Sequence, residues 1–241
     1  MNIIQKGNSH TNSSSRDGHV PCVIVDHISD GTMGSMDSWF TSANNTRSSA
    51  HFGISKSGEI HQYVPIERRA WANGLTVEAM TKSTALIVHQ HAPVNPNKYS
   101  VSIEHEGTDG DLTEEQFAAS VWLHKYIAAE VKRIYGQTLP LDEQHVIGHF
   151  HVDPVRKPNC PGPKFPWAQL YAALRAEPAK TGETGEVKPK MKPEDANKIT
   201  DLLSKTWHLM QTAGADKSVL DEIGRLADEV RVSAGLAKQN S

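Results

Sequence analysis

The stretch Gly148-His149-Phe150-His151-Val152-Asp153-Pro154-Val155-Arg156-Lys157-Pro158-Asn159-Cys160-Pro161-Gly162 constrains the fold most. Its three prolines fix φ and remove amide donors, so it is neither helix interior nor central strand. It is instead a rigid loop that holds His149, Lys157 and Cys160 at set positions. Thiolate and imidazole are zinc ligands, and a proline-stiffened loop fixes them at little ordering cost. A catalytic zinc takes three protein ligands and keeps one position for water. His149 and Cys160 supply two ligands. His27, elsewhere in the chain, is the candidate for the third.

The 241 residues suffice for one catalytic domain plus something small. A net charge of −3 gives no basis for a nucleic-acid partner or an anionic membrane surface. Two cysteines argue against a disulfide framework. No apolar run reaches the roughly 18 residues of a membrane span. Met1–Gly7 contains no apolar signal region, so the product is expected to start in a reducing cytoplasm.

Along the chain, residues 5–19 read as an extended lead-in. Cys22–His27 is short, apolar and β-branched, a buried strand with Val23, Val25 and His27 on one face and Cys22, Ile24 and Asp26 on the other. Cys22 is expected to be a small buried thiol. Asp37 to Phe40 is expected to begin a short helix. Ala50–Ile54 and Glu59–Val64 flank Ser55–Gly58 as a β-hairpin. His61, among polar neighbours, is expected on a solvated face. His51, Trp71 and Asn73 are the candidate substrate contacts, with hydrogen bonding behind the metal as the other role for His51 and core packing for Trp71. Arg68–Gly74 reads as a loop. Thr76–Ala92 is either one helix or a loop followed by a strand at Leu86–Val88, and His89 with His91 is a weaker metal pair than the trio already named. Tyr99–Gly107 alternates as a strand, with Ser102, Glu104 and Glu106 on one face. Taken alone, those carboxylates face solvent.

Thr113 begins a helix as N-cap, with Gln116 completing a capping box, Leu112 and Phe117 as the hydrophobic staple, and Gly136 as the stop. Its apolar stripe, including His124, faces the core. A final short helix runs to about Arg175. This catalytic domain spans 1–176. Residues 177–192 lack periodicity and aromatics and form a linker. The module 193–241 carries two amphipathic helices, the first from Pro193 to before Gly214 and the second capped by Asp216. Two short helices bury too little apolar surface to be secure alone, so they are expected to dock, self-associate or bind a partner.

With His27, His149 and Cys160 around zinc, amide hydrolysis needs a proton acceptor and an oxyanion stabiliser. Glu104 orients or deprotonates the water if its strand lies beside the one ending at His27. Lys157 places positive charge at the oxyanion. A closed structural zinc site using one of the spare histidines, or a site without metal, stays open on residue types alone.

Several motifs in order carry a resemblance: His27 after its strand, Ser49-Ala50-His51-Phe52, Gly58 through Pro65, Arg69-Ala70-Trp71, Ser102 through Asp109, Gly148-His149, Arg156-Lys157 and Pro161-Gly162. Over roughly residues 20–170 the chain resembles the zinc N-acetylmuramoyl-L-alanine amidases, the amidase-2 group that shares its fold with the peptidoglycan recognition proteins and phage lysozyme-type amidases. The resemblance implies an α/β fold with a mixed central sheet flanked by helices, followed here by the helical hairpin. It implies a zinc ion and cleavage between the lactyl group of N-acetylmuramic acid and L-alanine in peptidoglycan. It assigns the metal to His27, His149 and Cys160, the catalytic acid to Glu104 and the oxyanion contact to Lys157. Many members place Asp where this chain has Asn159, and Cys160, one residue later, is the ligand other members use. Members often have His where this chain has Ala72. A catalytic domain, linker and helical module resemble a phage endolysin, held in the host cytoplasm until lysis and then acting on the wall. The module would then target the wall or form a homodimer. A cytosolic muropeptide-recycling amidase and a non-catalytic peptidoglycan binder are the alternatives.

Overall fold

The computed structural model describes residues 1–176, 193–234 and 236. The linker 177–192 lies outside these. The chain forms two compact units, Met1–Pro178 and Ala179–Ser241. The strands are β1 (Ile3–Gln5), β2 (Ser13–Ser15), β3 (Val23–Ile28), β4 (Phe52–Ile54), β5 (Ile60–Gln62), β6 (Arg68–Ala70), β7 (Ser100–His105) and β8 (Val146–Gly148). The helices of the first unit are α1 (Met33–Phe40), α2 (Val77–Met80), α3 (Leu86–His91), α4 (Glu114–Tyr135), α5 (His149–Val152) and α6 (Trp167–Arg175), and the second unit has α7 (Pro193–Thr212) and α8 (Lys217–Ser233). No described helix is long and apolar enough to cross a membrane.

The main sheet runs β1-β5-β4-β7-β3-β8. Its right half is parallel, β3 pairing with both β7 and β8, and the β4–β5 hairpin supplies the antiparallel element. The sheet is therefore mixed, as expected. The alternation along β3 sorts its residues between two cores. Ile24, Val101, Ile103, Phe52 and Ile54 meet Leu123, Ile127 and Val131 of α4. Val23, Val25 and Ile147 meet Leu75, Met80, Ile87, Val88 and Tyr99 on the other face. Each such fully buried side chain stabilises the fold by about 1.5–3 kcal/mol.

Four expectations are corrected. Residues 5–19 are not merely a lead-in, because Ser13–Ser15 pairs antiparallel with Arg68–Ala70, and β1 lies parallel beside β5. Arg68–Ala70 is thus a strand as well. Leu86–His91 is helical, its apolar run buried by Ile87 and Val88 at helical spacing against the second core. His61 is buried rather than solvated, since β1 and α1 cover its strand. Its Nδ1 lies 2.7 Å from Asp37 Oδ1 and its Nε2 lies 2.8 Å from Glu59 Oε1.

Helix α4 begins at Thr113, whose Oγ1 accepts from the Gln116 amide. Gln116 does not close a capping box: its Nε2 donates to the Ile54 and Glu106 carbonyls, tying the helix start to the sheet. Gly136 stops the helix at φ 71°, a left-handed conformation that glycine adopts without penalty. Further along, His124 is buried, as its place on the apolar stripe predicts. Its Nδ1–H donates to the Ser120 carbonyl at 2.8 Å and its Nε2–H to Asp26 Oδ2 at 3.2 Å. With an acceptor oxygen facing each nitrogen, the surroundings favour the imidazolium form. Burial, the largest single influence, lowers its pKa, but the Asp26 charge, the Asp26 hydrogen bond and the Ser120 carbonyl together raise it. Beside it, burial lowers His105, whose Nδ1–H donates to the His27 carbonyl at 3.0 Å.

In the second unit, α7 and α8 carry surface ion pairs such as Lys205–Asp201 and Lys217–Asp221. Asp216 occupies the N-cap of α8, but its side chain makes no capping bond. Leu202, Leu209, Val219 and Leu226 remain exposed.

Removing Asp26 strands a buried imidazolium. Asp26→Ala is expected to cost about 3–5 kcal/mol in urea unfolding with an unchanged m-value. Because His124 is raised in the folded state, this contribution is complete below its unfolded value of about 6.5 and is lost as pH rises through the folded value. The penalty should therefore be largest near pH 6 and shrink at alkaline pH.

Candidate metal and catalytic site

Three parallel strand ends build the site. His27 is the penultimate residue of β3 and stands in register opposite Glu104 of β7. On the other side Asp26 stands opposite Gly148, the last residue of β8, so His149 emerges beside His27 as the first residue of α5. Their rings meet edge to face with centroids 4.4 Å apart. The proline loop then returns Cys160 to the same point. The Cys160 carbonyl accepts from the Phe150 amide at 2.9 Å, and its Sγ accepts from the Ile28 amide at 3.4 Å.

The ligand atoms of His27, His149 and Cys160 all lie within 4.8 Å of one another, the one such cluster among the described residues. The chemistry of this donor set fits zinc. Burial holds His27 well below the usual imidazole range, reinforced by the charges of His149 and Lys157. Burial, then Lys157, presses His149 down to about 4. Both rings are therefore neutral and keep a lone pair for a metal. The Cys160 thiol is pushed up to about 12, first by burial and then by Glu104. Two imidazoles and a thiolate would leave a bound dication with a net positive charge.

Glu104 does not face solvent. Its Oε1 lies 4.0 Å from His27 Nδ1, and its Oε2 is enclosed with no hydrogen-bond partner. Burial raises its carboxyl to about 8, with the Lys157 charge working against that rise. Glu106, on the same strand face by parity, instead accepts from the Lys56 amide at 2.8 Å and does not line the cleft.

The cleft has a volume of about 760 Å³ and contains His27, Glu104, His149, Lys157 and Cys160 in its lining. Trp71 also lines it, fixed by Nε1–H donating to Ser14 Oγ at 3.0 Å. Two expected substrate contacts are not in the cleft wall. His51 is 1% exposed. Its Nδ1 accepts from the Ser102 amide at 3.0 Å, and its Nε2 lies 2.8 Å from Arg16 Nη2 and 3.0 Å from the Arg68 carbonyl. Asn73 is also 1% exposed, its Nδ2–H donating to Ser100 Oγ at 3.0 Å. Sequence reasoning missed Trp39, Arg47, Asp153 and Arg156, which do line the cleft. Asp153 is buried, paired with Arg156, which also donates to the Gly74 carbonyl at 2.9 Å. Only the Asp153-to-Arg156 spacing within the proline loop could have signalled that pair.

Residues 16–163 match the N-acetylmuramoyl-L-alanine amidase family. The chain is 31% identical over 143 residues to the 1,6-anhydro-N-acetylmuramyl-L-alanine amidase AmpD of Escherichia coli K12, covering 58% of this chain and 65% of that protein. It is 31% identical over 140 residues to AmpD of Salmonella typhimurium LT2, covering 56% and 62%. The chain thus spans less than two thirds of these curated relatives. The crystal structure of a selenomethionine AmpD derivative superposes with a TM-score of 0.54 at 26% identity, covering 71% of this chain and 94% of that one. A mutant endolysin from Bacillus subtilis superposes at 0.50 with 21% identity, covering 72% and 99%, a likeness of fold.

The loop bearing Cys160 depends on Gly162, which sits at φ +118° with its missing Cβ position 2.2 Å from the Asp109 backbone. Gly162→Ala should destabilise the first unit by more than about 1 kcal/mol, read as a lower urea midpoint, because neither the dihedral nor the space admits a methyl group.

Proposed function

The chain belongs to the N-acetylmuramoyl-L-alanine amidase family, and we propose that it is a zinc-dependent peptidoglycan hydrolase that cleaves the amide joining the lactyl group of N-acetylmuramic acid to L-alanine. The observation that carries this is the convergence of His27, His149 and Cys160 within 4.8 Å beside a buried, unpartnered Glu104.

Those three side chains would hold the ion. Zinc bound there would polarise the amide carbonyl and acidify a neighbouring water. Glu104 is the proton carrier. Its carboxyl, raised to about 8 by burial against the opposing Lys157 charge, exchanges protons near neutral pH. It takes a proton as the water oxygen bonds to the carbonyl carbon, and returns it to the nitrogen as the C–N bond breaks. The products are a lactyl carboxylic acid and the free amine of L-alanine. Lys157 sets a positive charge in the same cleft, where the carbonyl oxygen becomes negative. Trp71 forms an apolar wall against which substrate is aligned.

The biological role proposed is that of an endolysin. A separate helical unit with exposed Leu202, Leu209, Val219 and Leu226 supports it, since such a surface suits wall attachment or pairing of two copies. The 31% identity to 1,6-anhydro-N-acetylmuramyl-L-alanine amidases favours a second role, recycling of soluble muropeptides. Intact sacculi and soluble anhydromuropeptides separate the two. An endolysin releases new L-alanine amino termini from sacculi, and deleting residues 193–235 weakens its pelleting with walls or lowers its sedimentation mass. A recycling enzyme acts on the soluble substrate alone and is indifferent to the deletion.

Cys160→Ser is expected to lose both bound zinc, read by metal analysis, and hydrolysis. Glu104→Gln should retain zinc while kcat falls about 10²–10⁴-fold. A chelator should abolish turbidity loss of a wall suspension, and added zinc should restore it. Full hydrolysis by zinc-free protein would remove the metal from the account.

A further inference from the structure

Helix α1 buries Met33, Met36 and Phe40 as one stripe at helical spacing. Trp39 falls beside that stripe. It is 46% exposed, yet it lines the catalytic cleft. The indole is open but not loose. Its Nε1–H donates to Ser48 Oγ at 2.9 Å, and the Trp39 carbonyl accepts from Asn45 Nδ2 at 3.0 Å. Asn45 is buried and organises the turn after α1. Its Nδ2 also donates to the Ser48 carbonyl at 2.8 Å, and its Oδ1 accepts from the Arg47 and Ser48 amides at 3.0 and 3.2 Å. Asn12 holds the same turn, its Nδ2 donating to the Asn45 and Ser48 carbonyls at 2.8 and 3.1 Å. A large ring fixed in advance binds with little loss of side-chain freedom.

Arg47 leaves this turn exposed and also lines the cleft. Its backbone is fixed by Asn45, but its guanidinium has no hydrogen-bond or ion-pair partner among the described residues. The other two cations of the lining are already engaged: Arg156 pairs with Asp153, and the mechanism above gives Lys157 to the oxyanion. The proposed reaction decides which anion Arg47 meets. The lactyl carboxyl is consumed in the scissile amide, so the free carboxylates of the substrate lie on the peptide side of that bond.

We propose that Trp39 and Arg47 form the peptide-binding arm of the cleft. The guanidinium pairs with a carboxylate of the stem peptide, and the indole is the rigid surface along which the peptide lies. This rests on the amidase reading above and names the half of the substrate that this wall takes. Planar, bidentate pairing with a carboxylate is what a free guanidinium offers and an ammonium does not.

The probes are an N-acetylmuramyl-L-alanyl peptide with free carboxylates and the same compound with every carboxylate amidated. Calorimetry reads the binding of each to the full chain carrying Glu104→Gln, which leaves the probe uncleaved. The acid should bind about 10- to 100-fold more tightly than the amide. Adding Arg47→Ala should erase that difference by weakening the acid alone, and Arg47→Lys should restore only part of it. Trp39→Ala should weaken both probes alike, about 10-fold, and Trp39→Phe should recover most of that loss. Failure to bind either probe, equal affinity for the two, or an equal loss for both in Arg47→Ala would overturn the assignment. Hydrolysis by the wild type is followed alongside. If neither probe were cleaved but the preference for the acid still depended on Arg47, the amidase reading would fall and the arm would stand. Cleavage without that preference would do the reverse.

Discussion

The site exists because β3 is paired on both sides by parallel neighbours whose ends stop at the same level. His27 opposes Glu104 on one side, and Asp26 opposes Gly148 on the other. Ligand-binding crevices of parallel sheets lie outside the carboxyl ends of the strands, where chains leave the sheet and side chains are released from pairing. Here that position receives His27 from β3, Glu104 from β7 and His149 from the residue after β8. A slip of one residue in either pairing would turn His27 or Glu104 to the α4 side. The packing of Ile24 and Ile103 against Leu123 and Ile127 is thus what forbids the slip and keeps the chemistry on its face.

The reverse side of the same strands carries charge. Asp26 and His124 form a buried ion pair beneath the sheet, and His105 donates to the carbonyl of His27 itself. The peptide bearing His27 is therefore held from below by a hydrogen bond while its ring lines the cleft above. Such buried pairs add little net stability compared with apolar packing, but breaking one is costly. Their effect here is directional: they fix where the end of β3 lies. The low dielectric that makes them costly to break also raises Glu104 and lowers both histidines, so burial sets protonation as well as position.

Much of this was legible in the residues. Alternation gave His27 its face but read Glu104 as solvated, the prolines marked the Cys160 loop, and Thr113 with Gly136 bracketed α4. These signals are local, and the structure preserves them. Signals that failed depended on distant partners. His61 reads as solvated because its sequence neighbours are polar, yet β1 and Asp37 arrive from elsewhere to cover it. Ser13–Ser15 has no strand pattern and becomes one only by pairing with Arg68–Ala70. Asn73 and His51 sit within recognisable motifs, but whether a motif residue faces the cleft or supports a neighbour is decided by tertiary contacts. Arg47 reaches the cleft from a segment without periodicity, where sequence offers no face to assign, and Trp39 from α1, a helix that begins before the expected Asp37.

The walls of the cleft show a division of labour. Apolar burial holds the sheet to α4, but the walls are short helices and turns with little area to bury. They are held by polar struts. Asp37 ties α1 to His61 and receives the Tyr63 hydroxyl at 2.8 Å. Arg156 ties the proline loop to the Gly74 carbonyl. Arg16, 3% exposed, donates to the carbonyls of Ile66, Lys98 and Ser100 and so clamps the segments behind Trp71. Apolar contacts are non-directional and tolerate small displacements, whereas a buried hydrogen bond fails when its geometry drifts. A cleft built on so few strands keeps its shape because each wall is fixed by a bond with direction, and those of Arg16 to Ile66 and Ser100 are buried enough to be expensive to lose.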